Sequence, residues 1–142
     1  MRDNSDGMFF VCQGCEDPLF EHDQWAKGCM DKFGFYVHLV EFNMHTHGLE
    51  NTFNHPDLQI VLPLHPLMAH QLIHDVVGLI RKGTAIQPGV RYSKIIKNLD
   101  VTFIEATETG RKVLRMILPD TKGNLDKACL TGEYAEQYNV VT

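Results

Sequence analysis

Four residues near the start of the chain have the types and the spacing of a zinc site. Cys12, Cys15, His22 and Cys29 follow one another in the pattern C-x2-C-x6-H-x6-C. Two thiolates on either side of a short glycine-bearing turn can bind the same tetrahedral zinc ion, and many structural zinc sites begin in this way. We therefore predict a structural zinc bound by these four side chains.

A helix predicted over residues 18–32 makes this ligand set harder to complete. On one straight helix His22 and Cys29 lie about 10 Å apart along the axis, whereas zinc bonds are only about 2.0–2.3 Å long. Either the helix begins after His22, or another residue replaces it, for which Cys129 is the candidate. Without zinc, the cysteines would be free thiols, with Cys29 buried as a small apolar residue, or the first two would form a redox pair.

Histidines form the second group, and eight of them occur in the chain. His45 and His47 are two residues apart, so in an extended segment both point to the same face and could share a metal ion or an anionic ligand. His38 and His55 lie close by in the sequence. These four histidines are the candidate ligand-binding residues of the chain.

Three neutral imidazoles with an open coordination position would make a catalytic zinc or iron site. A carboxylate from Glu41 or Glu50 could complete it. The alternative is that His45 and His47 are polar residues on the outer face of a strand or loop. His70 and His74, one helical turn apart, are expected to pack at the edge of a helix rather than to bind a metal.

An α+β domain is predicted around these residues, with a mostly antiparallel sheet, two main helices and an N-terminal Cys-rich element. We expect residues 1–7 to be a disordered lead and residues 8–142 to be a single domain, within which 8–33 is the candidate zinc-binding element. Apolar alternation and turn residues predict the elements. The helices are expected at 18–32 and 66–82, and the strands at 35–42, 57–64, 92–99, 101–107 and 112–118.

Charge and hydropathy restrict the classes of partner. The formal net charge is -5, and the sequence has no cluster of five or more Lys and Arg, so nucleic acid is disfavoured. No apolar run approaches the roughly 18–20 residues of a membrane span, and the polar, acidic first residues are unlike a signal peptide. We expect a cytoplasmic protein with no membrane partner, binding a small molecule or another protein, and homo-oligomerisation stays open.

The segment His55-Pro-Asp-Leu58, with the apolar run that follows it, resembles the bacterial domain-of-unknown-function family 4262. The similarity extends over about residues 34–123 and implies no particular activity. Where that family has an aromatic and an apolar residue, this chain has His45 and His47, so a role for those two cannot be inherited. The other matching positions are Thr46, Gly48, Leu49, Pro66, Ala69, His70, Gly83, Gly89, Pro119, Asp120 and Gly123.

Two functional hypotheses follow. The first is a small-ligand-binding or regulatory module whose pocket lies between the strand at 35–42, the segment 45–49 and the helix at 66–82. The second is a metal-dependent hydrolase or lyase that uses His45 and His47 with His38 or His55. Enzyme activity is left open, because the sequence has no nucleophile elbow, phosphate-binding loop or dinucleotide-binding motif.

Overall fold

The computed structural model describes residues 22–40, 43–108 and 110–139, and of residues 22–26 and 40 the backbone alone. Cys12 and Cys15, the lead at 1–7 and most of the Cys-rich element lie outside this range. In chain order the elements are α1 (His22–Phe33), β1 (Tyr36–Val40), β2 (Asn43–His47), α2 (Leu49–Phe53), β3 (Asp57–Ile60), α3 (Pro66–Arg81), β4 (Tyr92–Ile96), β5 (Leu99–Glu108), β6 (Arg111–Ile117), a 3-10 helix (Lys127–Cys129) and α4 (Gly132–Glu136).

The six strands form one sheet in the order β1-β2-β3-β6-β5-β4. Every neighbouring pair is antiparallel except β3 and β6, which run parallel. The predicted α+β class with a mostly antiparallel sheet is therefore confirmed. Among the described residues α1 and α3 are the two long helices, as predicted, and two five-residue helices accompany them.

Helix α3 forms where its apolar residues recur at helical spacing. His65 caps its N-terminus by accepting a hydrogen bond from the amide of Leu67 (3.1 Å), and Pro66 occupies the first turn, which suits proline because its missing amide has no partner there. Ile73 and Val76 are fully buried, and each such side chain contributes about 1.5–3 kcal/mol by leaving water. The predicted helix is confirmed, with its end at Arg81.

Strand β2 lies in a segment for which the sequence predicted no regular structure. Its residues alternate between the two faces of the sheet: Met44 and Thr46 belong to the same face, and His45 and His47 to the other. The register pairs His38 with His45 and Leu39 with Met44. The segment becomes a strand because it pairs with β1 on one side and β3 on the other. Its sequence does not show the apolar alternation of a strand, because histidines occupy two of its five positions.

Gly48 turns the chain sharply between β2 and α2. Its φ is +106°, and a Cβ placed on it would lie 2.5 Å from Met30 Sδ. No other residue type fits both the backbone angle and the space. This close approach fixes where β2 ends, directly after His47.

The C-terminal segment packs against the centre of the sheet through Arg115. This side chain is 1% exposed and donates hydrogen bonds to the carbonyls of Gln137 (3.0 Å) and Asn139 (2.5 Å). Gln137 in turn bonds both the amide and the carbonyl of Leu118. The short helix α4 is thereby anchored at the end of β6.

Candidate metal centre

Pairing of β1 with β2 brings three of the predicted histidines into one cluster. His38 lies directly opposite His45, and their ring centroids are 5.2 Å apart. His47 follows two residues later on the same face, with its ring 4.9 Å from that of His45 and 6.1 Å from that of His38. One ring nitrogen from each lies within 4.8 Å of the other two. Two ligands of one tetrahedral zinc ion lie about 3.4 Å apart, so the three nitrogens surround a space that side-chain movements would fit to a single ion.

Burial keeps the imidazoles of His45 and His47 neutral at neutral pH. His45 is only 2% exposed, and burial lowers its pKa to about 4, although the Glu108 carboxylate acts in the opposite direction. Burial also lowers the pKa of His47 to about 4, assisted by the positive charge of Arg111. Neutral imidazole is the form that binds metal ions, so His45 and His47 are in the ligating form over the physiological pH range.

Glu108, the last residue of β5, supplies a carboxylate beside the cluster. Its Oε1 lies 3.7 Å from His45 Nε2 and 3.1 Å from Arg111 Nε. Burial alone would raise the pKa of Glu108, but the positive charges of His45, when protonated, and of Arg111 lower it by more, so that it falls below its usual value. An ionised carboxylate therefore faces neutral histidines at neutral pH.

Arg111 ties this carboxylate to the end of β2. Its guanidinium donates to Asp57 Oδ2 and to the carbonyl of Thr46, both at 2.7 Å. Asp57 Oδ1 also accepts from the Thr46 hydroxyl at 2.7 Å and from the amide of Leu49 at 3.1 Å. These charge-assisted bonds hold the end of β2 in place. Arg111 and Glu108 are also cross-strand neighbours of the β5–β6 hairpin.

A polar cavity of about 250 Å³ opens beside Arg111. It begins at Gly48, the residue after His47, so it adjoins the histidine cluster. Its lining combines two carboxylates with two cations, and this suits a polar small molecule better than an apolar one. The lining residues are Gly48, Glu50, Asn51, Asp57, Arg111 and Lys112.

An apolar cavity of about 160 Å³ lies on the opposite face of the sheet. Leu39 and Met44 line it as a cross-strand pair, and successive pairs of a sheet point to opposite faces. The sheet therefore separates this cavity from the histidines, whereas the sequence hypothesis placed pocket and histidines together. The remaining lining residues are Ile60, Leu62, Pro63, Leu64, Pro66 and Ala69.

His55, the fourth predicted histidine, lies outside the cluster. Its Nδ1 lies 2.9 Å from the carbonyl of Pro56, and its Nε2 accepts from the amide of Ile86 at 3.0 Å. Both ring nitrogens thus have partners that hold the loop after α3 against the start of β3. Of the two predicted carboxylates, Glu41 lies outside the described residues, and Glu50 lines the polar cavity.

His70 packs deeper than the helix edge predicted for it, whereas His74 is half-buried as an edge residue would be. Their rings lie 4.4 Å apart, and His70 is only 6% exposed. Burial, with a smaller effect of His74, lowers the pKa of His70 to about 3. His70 therefore belongs to the buried face of α3, and that part of the prediction is wrong because a neutral imidazole can pack as an apolar side chain.

The predicted zinc ligands are only partly within the described residues. His22 is the first residue of α1 and Cys29 lies on the same helix, so the alternative in which the helix begins after His22 does not apply. Cys29 is a buried free thiol and Cys129 an exposed one. Burial raises the pKa of Cys29, which fits its packing in the apolar core. Zinc binding at Cys12 and Cys15 stays a prediction.

Fold and site together define a small α+β domain with a three-histidine cluster at the edge of its sheet. The chain belongs to the family described as Domain of unknown function (DUF4262), whose model matches residues 30–125. The predicted resemblance is thereby confirmed. No curated protein and no solved structure matches the chain. Within the described residues, no helix is both long enough and apolar enough to span a bilayer.

Proposed function

We propose that this domain binds a divalent transition-metal ion through His38, His45 and His47 and uses it in hydrolase or lyase chemistry on a polar small molecule. The observation that carries the proposal is the convergence of three imidazole nitrogens within 4.8 Å of one another. Side-chain movements of less than about 1 Å would bring the three nitrogens to the bonds of about 2.0–2.1 Å that one zinc or iron ion requires.

Three protein ligands leave at least one coordination position for water or substrate. A metal ion at such a position lowers the pKa of bound water to about 7 and polarises a carbonyl or phosphoryl oxygen. The polar cavity beside Arg111 would hold the rest of the substrate. The neutral imidazoles of the buried His45 and the half-buried His47 favour this role, because a metal ion binds the deprotonated ring nitrogen.

Metal analysis of the full-length protein tests the centre. Protein freed of metal by chelation is titrated with Zn²⁺ while the thiols are kept reduced, and the bound equivalents are counted. We expect the paired substitutions His45→Ala and His47→Ala to remove one equivalent, and His65→Asn, which keeps the helix cap of α3, to remove none. Equal zinc content in the paired variant and the wild type would refute the histidine centre.

Reaction class needs a separate measurement. The metal-loaded protein is incubated with 4-nitrophenyl acetate and with bis(4-nitrophenyl) phosphate, two general hydrolysis probes. We expect turnover of at least one probe that disappears on chelation and in the His45→Ala, His47→Ala variant. Metal binding without turnover of either probe would retain the centre and reject hydrolysis of these ester types.

The apolar cavity supports a second function, that of a small-ligand-binding module. Its volume of about 160 Å³ suits a molecule of about benzene size. We expect indole to raise the melting temperature of the metal-free protein, and Ala69→Leu, which fills the cavity, to remove this rise without changing zinc content. An unchanged melting temperature in saturating indole would reject this function.

Zinc binding by Cys12 and Cys15, with Cys29 and either His22 or Cys129, is a separate proposal. It is supported by the spacing of the first two cysteines alone. The variant Cys12→Ser with Cys15→Ser is expected to lose one zinc equivalent and to keep the one that depends on His45 and His47. The two proposals thus make independent predictions for zinc content.

A further inference from the structure

We infer that Glu108 is the fourth protein ligand of the centre, and that a hydrogen-bonded chain from Arg115 through Gln59 and Asn43 directs Nε2 of His45 toward it. This inference rests on the proposed metal centre and specifies its composition: three imidazoles and one carboxylate, with a fifth position left for water or substrate. Such a donor set suits Zn²⁺, Fe²⁺ or Mn²⁺ and disfavours Cu⁺, which prefers sulfur.

The hydrogen-bonded chain begins at Arg115, which can only donate hydrogen bonds. Its Nε lies 2.7 Å from Gln59 Oε1, so that atom of the Gln59 amide must be the oxygen. The amide nitrogen of Gln59 then points to Asn43 at 3.4 Å. The facing atom of Asn43 must accept this bond, and it is therefore Oδ1.

The same oxygen of Asn43 lies 3.3 Å from Nδ1 of His45. Because an oxygen of this kind cannot donate, the proton of the neutral ring must be on Nδ1. Nε2 consequently carries the lone pair, and it is the nitrogen that lies 3.7 Å from Glu108 Oε1. Partners that fix the tautomer and orientation of a ligating histidine in this way are a common part of metal sites.

A lone pair facing a carboxylate oxygen calls for a cation between them. The distance of 3.7 Å is too long for a direct hydrogen bond. Two ligands on one tetrahedral zinc ion, with bonds of about 2.1 Å, lie about 3.4 Å apart. His45 Nε2 and Glu108 Oε1 are thus near the separation that a shared ion requires.

Burying the polar side chains of this hydrogen-bonded chain costs free energy of folding. Arg115 is 1% exposed and Gln59 is fully buried. The described acceptors of Arg115 are Gln59 Oε1 and the carbonyls of Gln137 and Asn139, all of which are uncharged. A buried guanidinium without a carboxylate is expensive compared with apolar packing. We assign to the buried guanidinium of Arg115 the role of orienting His45.

Affinity for Zn²⁺ measured by calorimetry tests the role of Glu108. In Glu108→Gln the side chain keeps its size and can still accept from Arg111, but it loses the charge. We expect its dissociation constant to rise by more than about 100-fold, the most that is usual for losing an outer partner of a ligand, because a neutral amide replaces a directly bound carboxylate. Glu105→Gln, on the same strand with an exposed side chain, should change it less than about twofold. Equal affinities of Glu108→Gln and wild type would overturn the assignment.

The hydrogen-bonded chain from Arg115 is tested by Gln59→Glu and Asn43→Asp. The carboxylate that Gln59→Glu introduces still accepts from Arg115 but cannot donate to Asn43, whose amide is then expected to rotate and to move the proton of His45 to Nε2. The carboxylate that Asn43→Asp introduces accepts from both neighbours and should preserve the tautomer. Nitrogen-15 NMR of the metal-free proteins reports the protonated nitrogen directly.

We expect Gln59→Glu to shift the proton to Nε2 and to weaken Zn²⁺ binding about 10–100-fold, and Asn43→Asp to match the wild type in both measurements. A wild-type ring protonated at Nε2 would overturn the hydrogen-bonded chain. The same measurements separate the two proposals. If the wild type binds no zinc that depends on the histidines, the proposed function is rejected. If wild type and Glu108→Gln bind zinc equally well, only the fourth ligand is rejected.

Discussion

His38 and His45 face each other across β1 and β2 with their ring planes nearly perpendicular, at 87°. They form a cross-strand pair in which neither ring stacks on the other, so the edges carrying the nitrogens can turn toward a common point. His47 meets His45 at 73°. In contrast, His47 stacks on Tyr36 at 18°, which orients the third imidazole from its other side.

Metal binding should stabilise the fold, because an ion that binds only the folded state raises its unfolding free energy. At a free Zn²⁺ concentration 100 times the dissociation constant, the gain is about 2.7 kcal/mol. We expect an increase in melting temperature that a chelator reverses. In a protein already carrying Cys12→Ser and Cys15→Ser, adding His38→Ala should remove the increase, and its persistence there would argue against the three-histidine site.

A decrease in pH should destabilise the protein already at pH values above those at which carboxylates are protonated. His70 has an unfolded pKa of about 6.5 and a folded pKa of about 3, so between these values the unfolded chain binds more protons. The stability that depends on neutral His70 is complete above about pH 6.5 and falls as the pH decreases, by about 1.4 kcal/mol per unit for this one residue. Between about pH 7 and 5 the loss is about 2 kcal/mol.

Urea unfolding at several pH values checks this. His70→Leu should flatten the dependence between about pH 6.5 and 5 by about 1.4 kcal/mol per unit. His65→Asn, which removes a histidine that is not buried, should leave the slope of the wild type. A slope in His70→Leu equal to that of the wild type would show that burial of this residue does not control its protonation.

Gly48→Ala should strongly lower the free energy of unfolding, through backbone strain and through a steric clash. Gly83→Ala serves as the control, because it introduces the backbone strain alone. At Gly48 a side chain meets both the positive φ and Met30 Sδ at 2.5 Å, whereas Gly83 has a similar φ of +100° and open space. We expect a loss of about 1 kcal/mol for Gly83→Ala from backbone strain, and about 2–4 kcal/mol for Gly48→Ala. Urea denaturation measures both, and equal losses would contradict the close packing of Gly48 against α1.

Arg111→Met should lower stability by about 2–3 kcal/mol, because it leaves Asp57 and Glu108 without this cation in partly buried positions. The side chain of Arg111 is 29% exposed, and solvent screening moderates the effect. Arg91→Met breaks an exposed pair with Asp126 and should cost less than about 1 kcal/mol. Comparable losses in the two variants would contradict the anchoring role of Arg111.

Local signals in the sequence were sufficient for some elements and not for others. Helix α3 was predicted almost to the residue because its apolar period and its Pro66 are both local features. Strand β2 was missed because it owes its structure to β1 and β3. The hairpin between β4 and β5 also turns earlier than predicted, at Asn98, which has a φ of +66°.

The candidate site divides in the same way. His45 and His47 were predicted from their spacing, and His38 from its closeness in the chain. Glu108 was not predicted as part of the site, since no local pattern tells that β6 runs parallel to β3 and brings Glu108 toward β2. His55 has the right residue type and sequence position, yet its two hydrogen bonds give it a different role.

The single parallel pairing, β3 with β6, joins the strands of the first portion of the chain to those of the second. Gln59 and Arg115, which bond across it, are 56 positions apart in sequence. All three histidines belong to the first portion, and Glu108 and Arg111 to the second. An ion bound by residues of both portions would link the two portions to each other. A chain cut in the loop after Gly83 could then be reassembled from its two fragments by adding metal.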